Sequence, residues 1–265
     1  MKKITYLLVM LAAGSAAAQE DCNLQYDGNG DGAVNVEDVL GVLSEFSEVC
    51  DNPPVENGPC GDSLSITYWG HDYALTEIGE QCWFAENLRT FKFSNGDNIP
   101  NQIANSPWMN NGVPMCAVYN ESDEDDFYYY LDLYGVLYNW HCVDDSRNLC
   151  PSGFHASTIL EWDELLEFLT ANGQMSVGGM HLKTSVFDEV VWNGSNFYGF
   201  TALPGGRRRD TNGWFGNEGT DAYFWTTSQI GGSGAKAWRI NGGQTVLHEE
   251  SYVQSTGMSV RCLKD

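Results

Sequence analysis

Eight cysteines constrain this chain more than any other feature, because every one of them follows an export signal. The chain opens Met1-Lys2-Lys3, runs through apolar residues from Ile4 to Ala13 and reaches Ala16-Ala17-Ala18. That is the basic, apolar and small-residue order of a cleaved secretory signal of bacterial type, with Gln19 as the mature start. The apolar run is too short for a membrane span, which needs about 20 apolar residues, and no later stretch is long enough. Charged Glu20 and Asp21 precede Cys22 and argue against a lipid-bearing cysteine. The expected location is secreted, periplasmic or on the cell surface. An even cysteine count in an exported chain predicts disulfides, and more than a hundred pairings are open to eight cysteines. Chain order and domain layout favour Cys22–Cys50, Cys60–Cys82, Cys116–Cys142 and Cys150–Cys262.

The layout has four parts: a signal over 1–18, a small module over 19–50, a linker over 51–59 and one large domain over 60–265. The linker, with Asn52-Pro53-Pro54 in a polar run, reads as short and stiff. Aromatic residues make up 13% of the chain and Gly numbers 29, which predicts a folded, loop-rich domain and not a disordered one. The net charge of −23 excludes nucleic acid and anionic membranes as partners. The clearest helix covers 158–170. Thr158 and Glu161 form a capping box, and Trp162, Leu165, Leu166 and Leu169 share one face. A second short helix is expected to start at Tyr134-Gly135-Val136-Leu137-Tyr138-Asn139-Trp140. Beyond Gly173 the pattern predicts short strands at Tyr223–Thr227, Ala237–Ile240 and Met258–Leu263. The fold class is therefore α+β, with short antiparallel strands and two short helices.

Residues 27–38 read Asp-Gly-Asn-Gly-Asp-Gly-Ala-Val-Asn-Val-Glu-Asp. Calcium takes six to eight hard oxygens, and a twelve-residue loop supplies them at positions 1, 3, 5, 7, 9 and 12. Here these are Asp27, Asn29, Asp31, the Ala33 carbonyl, Asn35 and Asp38, with Gly32 at the sharp turn and Val34 as apolar anchor. Val39, Leu40, Val42, Leu43 and Phe46 follow at helical spacing, which completes a calcium loop–helix module. The segment resembles one half of a dockerin, and Asp at position 12 is the dockerin habit. A dockerin carries two such loops and this chain one, so the resemblance to a cohesin-binding module is incomplete, while calcium remains the expected ion.

In the large domain several strings occur together: Glu77-Ile78-Gly79-Glu80-Gln81-Cys82-Trp83-Phe84-Ala85-Glu86-Asn87-Leu88, Tyr134 to Trp140, Leu149-Cys150-Pro151-Ser152-Gly153-Phe154-His155, Glu161-Trp162, Gly205-Gly206-Arg207, Trp225-Thr226-Thr227-Ser228 and Ser259-Val260-Arg261-Cys262. In this order they resemble the Fibrobacter succinogenes major paralogous domain family (FISUMP). Phe84 stands where Met is usual, Phe154 where Trp is usual, and Ala156-Ser157 replaces Val-Pro. The resemblance implies a C-type-lectin-like fold, shared with formylglycine-generating enzymes and retroelement-diversified binding proteins.

No nucleophile elbow, zinc-protease helix or P-loop occurs. Formylglycine formation needs a reactive cysteine pair, and here each cysteine is assigned to a disulfide. His155, beside a disulfide cysteine, reads as structural. In the fold that the resemblance implies, the glycine-rich C-terminal half carries the ligand face. The candidate ligand residues on that half are Trp214, Tyr223, Trp225 and Trp238, with Phe215 among them; the basic run Arg207-Arg208-Arg209 is suited to internal salt bridges, and Arg208 and Arg209 are candidates for an anionic ligand as the sharper alternative. The acidic run Glu121–Asp126 is expected to be a solvated loop, with a second calcium site as the sharper option. The expected function is that of a secreted, calcium-binding, non-catalytic recognition or surface-assembly protein that binds a glycan or an extracellular protein. The alternatives are a dockerin-bearing component of a polysaccharide-degrading system with a cohesin-like partner and, last, a formylglycine-generating type of enzyme.

Overall fold

The structure, a computed structural model, describes residues 58–102, 104–109, 112–120, 124–173, 178–185 and 192–265. All belong to the unit Asn57–Asp265. The expected signal, the calcium ligands Asp27, Asn29, Asp31, Ala33, Asn35 and Asp38, and Cys22 and Cys50 lie outside the described residues.

The architecture is mixed α+β, with β-structure dominant. Strand β1 (Ser65–Tyr68) turns through Trp69-Gly70 into β2 (His71–Ile78). Both turn residues have positive φ, 50° and 83°, as a two-residue hairpin turn that matches strand twist requires. With β3 (Gln81–Phe84), β6 (Phe154–Ala156) and β12 (Cys262–Lys264) these form an antiparallel sheet in the order β1-β2-β3-β12-β6. The second sheet runs β11 (Leu247–Val253), β10 (Gly234–Asn241), β9 (Asp221–Ile230), β7 (Gly205–Arg208) and β8 (Phe215–Glu218). It is antiparallel except where β7 lies parallel to β9 at Gly206–Ala222. A two-stranded ribbon pairs β4 (Cys116–Ala117) with β5 (Leu137–Tyr138).

The capping box forms as its sequence predicts. Helix Ile159–Ala171 starts at Thr158, whose hydroxyl accepts from Glu161 N while Glu161 Oε2 accepts from Thr158 N. Such a cap contributes about 1 kcal/mol. The helix buries Trp162, Leu165 and Leu169. Trp162 is the hub of one core: Trp238 stacks on it at 5.9 Å, Phe224 lies at 5.5 Å and Trp83 meets it edge-on at 5.2 Å. A second core gathers Phe84, Tyr138, Tyr223, Trp225, Val260 and Cys262.

Four expectations are corrected. No helix starts at Tyr134. A helix ends there, Glu124–Tyr134, and Gly135 leaves it with φ +73° where a Cβ would come within 2.8 Å of Leu88 O. The part of the acidic run that is described thus opens a helix instead of lying in a loop. Further helical turns cover Asn105–Trp108, Trp140–Val143 and Gly178–Leu182, so the described residues hold more than two short helices. Met258–Leu263 is not one strand: Met258 and Ser259 make single bridges to Tyr138 and Phe224, and the strand starts at Cys262.

Disulfides Cys60–Cys82 and Cys150–Cys262 are present as expected, the second enclosing a separation of 112 residues. Cys116 and Cys142 are not joined to each other. Each sulfur is directed instead at backbone carbonyls, Cys116 at Ile99 O and Pro100 O, and Cys142 at Met115 O.

Candidate functional site

The loop from Arg209 to Trp214 joins β7 to β8 and carries the most exposed tryptophan, Trp214, at 62%. It is ordered from beneath by Arg208, which is wholly buried. The Arg208 guanidinium donates to Gly213 O at 2.9 Å and Ala104 O at 3.1 Å and to Gln102 O, and lies between the Trp108 and Phe215 rings at 4.4 and 4.9 Å. This anchors the loop to helix Asn105–Trp108. The approach is so close that a Cβ on Gly213 would sit 2.7 Å from Asn105 Cα. The Asn105 amide, oriented to satisfy both neighbours, donates to Gly213 O (2.8 Å) and accepts from Trp214 Nε1 (3.1 Å). Asn212 Oδ1 accepts from Trp214 N at 3.1 Å. The indole edge is therefore held while the ring stays open to solvent.

Trp214 borders an open cleft of about 510 Å³ lined also by Asn105, Tyr119, Asn120, Tyr130, Phe215 and Glu218. Its rings form a chain: Phe215 lies 5.0 Å from Tyr119, Tyr119 lies 5.5 Å from Tyr130, and Tyr130 stacks on Tyr134 at 6.0 Å. Tyr134 Oη donates to Glu218 Oε1 at 2.8 Å. Burial, and then the Glu218 carboxylate, raises the Tyr119 and Tyr130 hydroxyls above the usual phenol range. They stay protonated at neutral pH and serve as donors. Arg209 is exposed at the margin, its guanidinium against Gly216, where a Cβ would lie 2.8 Å from Nη2. The arrangement is an aromatic surface with amide, carboxylate, phenol and guanidinium groups around it. Such a surface stacks on a ring and hydrogen-bonds the groups at that ring's edge.

The structure does not bring the other candidates here. Tyr223, Trp225 and Trp238 are 3%, 0% and 3% exposed and belong to the core, which corrects their reading as ligand-facing. Trp225 Nε1 donates to Tyr138 O at 2.9 Å, and Tyr223 packs under Arg207 at 5.1 Å. Arg208 is corrected likewise: it holds the loop up from inside and presents nothing to a ligand. Of the predicted set, Trp214 and Arg209 remain at the surface and Phe215, half-buried, lines the cleft. Tyr119, Asn120, Tyr130 and Asn105 were not singled out, because they come from distant chain segments and only the fold joins them.

His155 is structural in its bonding, with Nε2 2.6 Å from Glu161 Oε1 and Nδ1 2.7 Å from Asp265 Oδ1. The Glu161 hydrogen bond first, and then Asp265, against the opposing effect of burial, push its pKa up to about 9. Cys142 is buried, and burial pushes its thiol well above the ordinary value, the reverse of what a reactive thiolate needs. Among the described residues no group of three or more His, Cys, Asp and Glu is gathered to hold a metal.

The family model for the Fibrobacter succinogenes major domain matches residues 76–264. The chain belongs to that family. The match runs from the end of β2 to β12 and takes in the second sheet, the Cys150–Cys262 disulfide and the Trp214 cleft, while β1 and the start of β2 precede it. No curated protein and no solved structure matches the chain. Within the described residues no helix is long and apolar enough to cross a membrane.

Proposed function

We propose that this Fibrobacter succinogenes major domain protein is an exported, calcium-binding, non-catalytic recognition protein whose large domain has a C-type-lectin-like fold and holds a glycan in the Trp214 cleft. The observation that carries the reading is the combination at Trp214: a ring left open to solvent with its indole N–H fixed by Asn105. An exposed tryptophan held in one orientation loses little freedom when a ligand stacks on it. The neighbouring amides, phenols and Glu218 suit the donors and acceptors of sugar hydroxyls. The two disulfides suit an oxidising location. The calcium loop Asp27–Asp38 would order the N-terminal module and tether or stiffen the chain there.

The test is a glycan array probed in calcium with the full chain and with Trp214→Ala. The expected result is saturable capture of at least one glycan, reduced about tenfold or more in the variant, at an unchanged melting temperature. Capture that is indifferent to Trp214→Ala, or a steady turnover of any captured glycan, refutes the reading. Calcium is tested separately by calorimetry on the full chain, where Asp31→Ala should remove the binding heat.

A further inference from the structure

Among the described residues that line the Trp214 cleft, Glu218 is the one with a charged side chain. The fold places that carboxylate. Glu218 ends β8 and pairs across the ribbon with Gly205 of β7. The Tyr134 ring packs on Gly205, where a Cβ would come within 3.1 Å of Tyr134 Cβ. From there the Tyr134 hydroxyl donates to Glu218 Oε1 at 2.8 Å. That bond orients the carboxylate, whose second oxygen can accept from a ligand. Among the described residues, the ion pairs of Arg and Lys are made by Asp97, Asp132, Asp145, Asp221, Glu249 and Glu250, and Glu218 belongs to none of them.

The remaining groups set the sign of charge that the cleft favours. Tyr119, Tyr130, Trp214 and Phe215 line it, and aromatic rings carry negative potential on their faces, which attracts a cation placed over them. Arg209 is the nearby counterweight, at the margin and outside the lining. Its effect inside is the smaller one. The Tyr119 hydroxyl is pushed up first by burial and then by Glu218, and the opposing pull of Arg209 is the weakest of its causes. At Tyr130, burial and then Glu218 act in the same direction, with Asp126 adding to them. The net charge of −23 works the same way at longer range, drawing cations toward the surface and repelling anions.

Three kinds of sugar can be compared on this frame. A neutral one uses Glu218 only as an acceptor for a hydroxyl. An acidic one sets its own carboxylate against Glu218. An amino sugar keeps the ring that stacks on Trp214 and adds an ammonium group, which gains a charge-assisted hydrogen bond at Glu218 and attraction to the surrounding rings. Building on the glycan reading of this cleft, we propose that its ligand is a cationic glycan bearing unacetylated amino groups, and that Glu218 is the residue that selects it.

Calorimetry on the full chain at about pH 6, where a sugar amine carries its proton, would compare oligosaccharides of glucosamine, N-acetylglucosamine, glucose and glucuronic acid of one length and linkage, with a lysine peptide of matching charge. The glucosamine compound is expected to bind about tenfold or more tightly than its N-acetylated and neutral counterparts, the effect of one hydrogen bond to a charged group, and the glucuronic acid compound least tightly. Glu218→Gln, which retains an acceptor for Tyr134, should erase the preference for the amine, and Trp214→Ala should weaken all the sugars alike. Should Glu218→Gln not fold, salt on the natural protein is the second route: raising it from about 0.05 to about 0.5 M should weaken glucosamine binding severalfold and leave N-acetylglucosamine binding in place. Trp214-dependent capture without preference for the amine, or with preference for glucuronic acid, overturns this inference and leaves the glycan reading standing. A preference for the amine that survives both Glu218→Gln and salt also overturns it, as does tighter binding of the lysine peptide than of any sugar. Absence of Trp214-dependent capture of every sugar overturns both readings together.

Discussion

Replacing His155 by glutamine keeps the side chain's bulk and removes its titration. In the folded protein the ring sits between Glu161 and Asp265 and holds its proton up to about pH 9; in the unfolded chain it releases it near pH 6.5. Stabilisation from a raised histidine is fully present below the unfolded value and disappears as pH rises through the folded one. At about 1.4 kcal/mol per tenfold change in proton affinity, the gap sets a ceiling of about 3 kcal/mol. The His155 side chain is 33% exposed and that of Asp265 60%, so solvent screening lowers the expected figure to about 1–2 kcal/mol. Burial works against the Glu161 carboxylate, but hydrogen bonds from His155 and Thr158 hold its pKa below the usual range, so it remains the histidine's charged partner through this window. Paired denaturant titrations of the natural protein and His155→Gln should differ by about 1–2 kcal/mol near pH 6 and converge near pH 9. A difference that is the same at both ends of the window refutes the electrostatic account and leaves packing as the only role of the ring.

Trp225→Ala should cost about 3–5 kcal/mol, measured by chemical denaturation, because the ring is wholly buried and its N–H is bonded to Tyr138 O; a loss below about 1 kcal/mol would contradict its place in the core. Opening Cys150–Cys262 by a double Cys→Ser change should cost about 4–5 kcal/mol by loop entropy, with non-reducing mass mapping to confirm the pairing. Arg208→Met should cost about 2–4 kcal/mol, since several carbonyls lose a charged donor, and should leave Trp214 fluorescence more readily quenched by acrylamide. Gly213→Ala should disturb the cleft without touching it, through left-handed backbone and contact with Asn105; unchanged quenching of Trp214 would count against that linkage.

Local signals were legible where local chemistry decides. Thr158 and Glu161 announce their helix because the cap needs only residues three apart. Cys150–Cys262 was legible from order along the chain. Cys116–Cys142 was not decided by parity, because an even count does not say which sulfurs meet. Helix Glu124–Tyr134 was missed because acidic residues at its start look like a solvated loop when the aromatic packing of Tyr130 and Tyr134 is unknown. For the aromatic residues of the C-terminal half, alternation along β9 and β10 does not reveal which face is core. Trp225 and Trp238, on neighbouring strands, point into two different buried clusters, and Trp214, on a loop, escapes both. The cleft needed Tyr119, Tyr130 and Phe215 to be neighbours, a fact of tertiary structure alone.

The bond between Cys150 and Cys262 brackets β7 through β11 and the Trp214 loop. A single backbone cut anywhere between the two cysteines, for example at the Gly231-Gly232 turn, yields two polypeptides that remain one molecule. Nicked chains would migrate as intact protein until thiol is added, and the cleft would stay attached to the remainder of the domain. Wherever the chain meets a protease, damage to the loop-rich half is thereby separated from loss of that half.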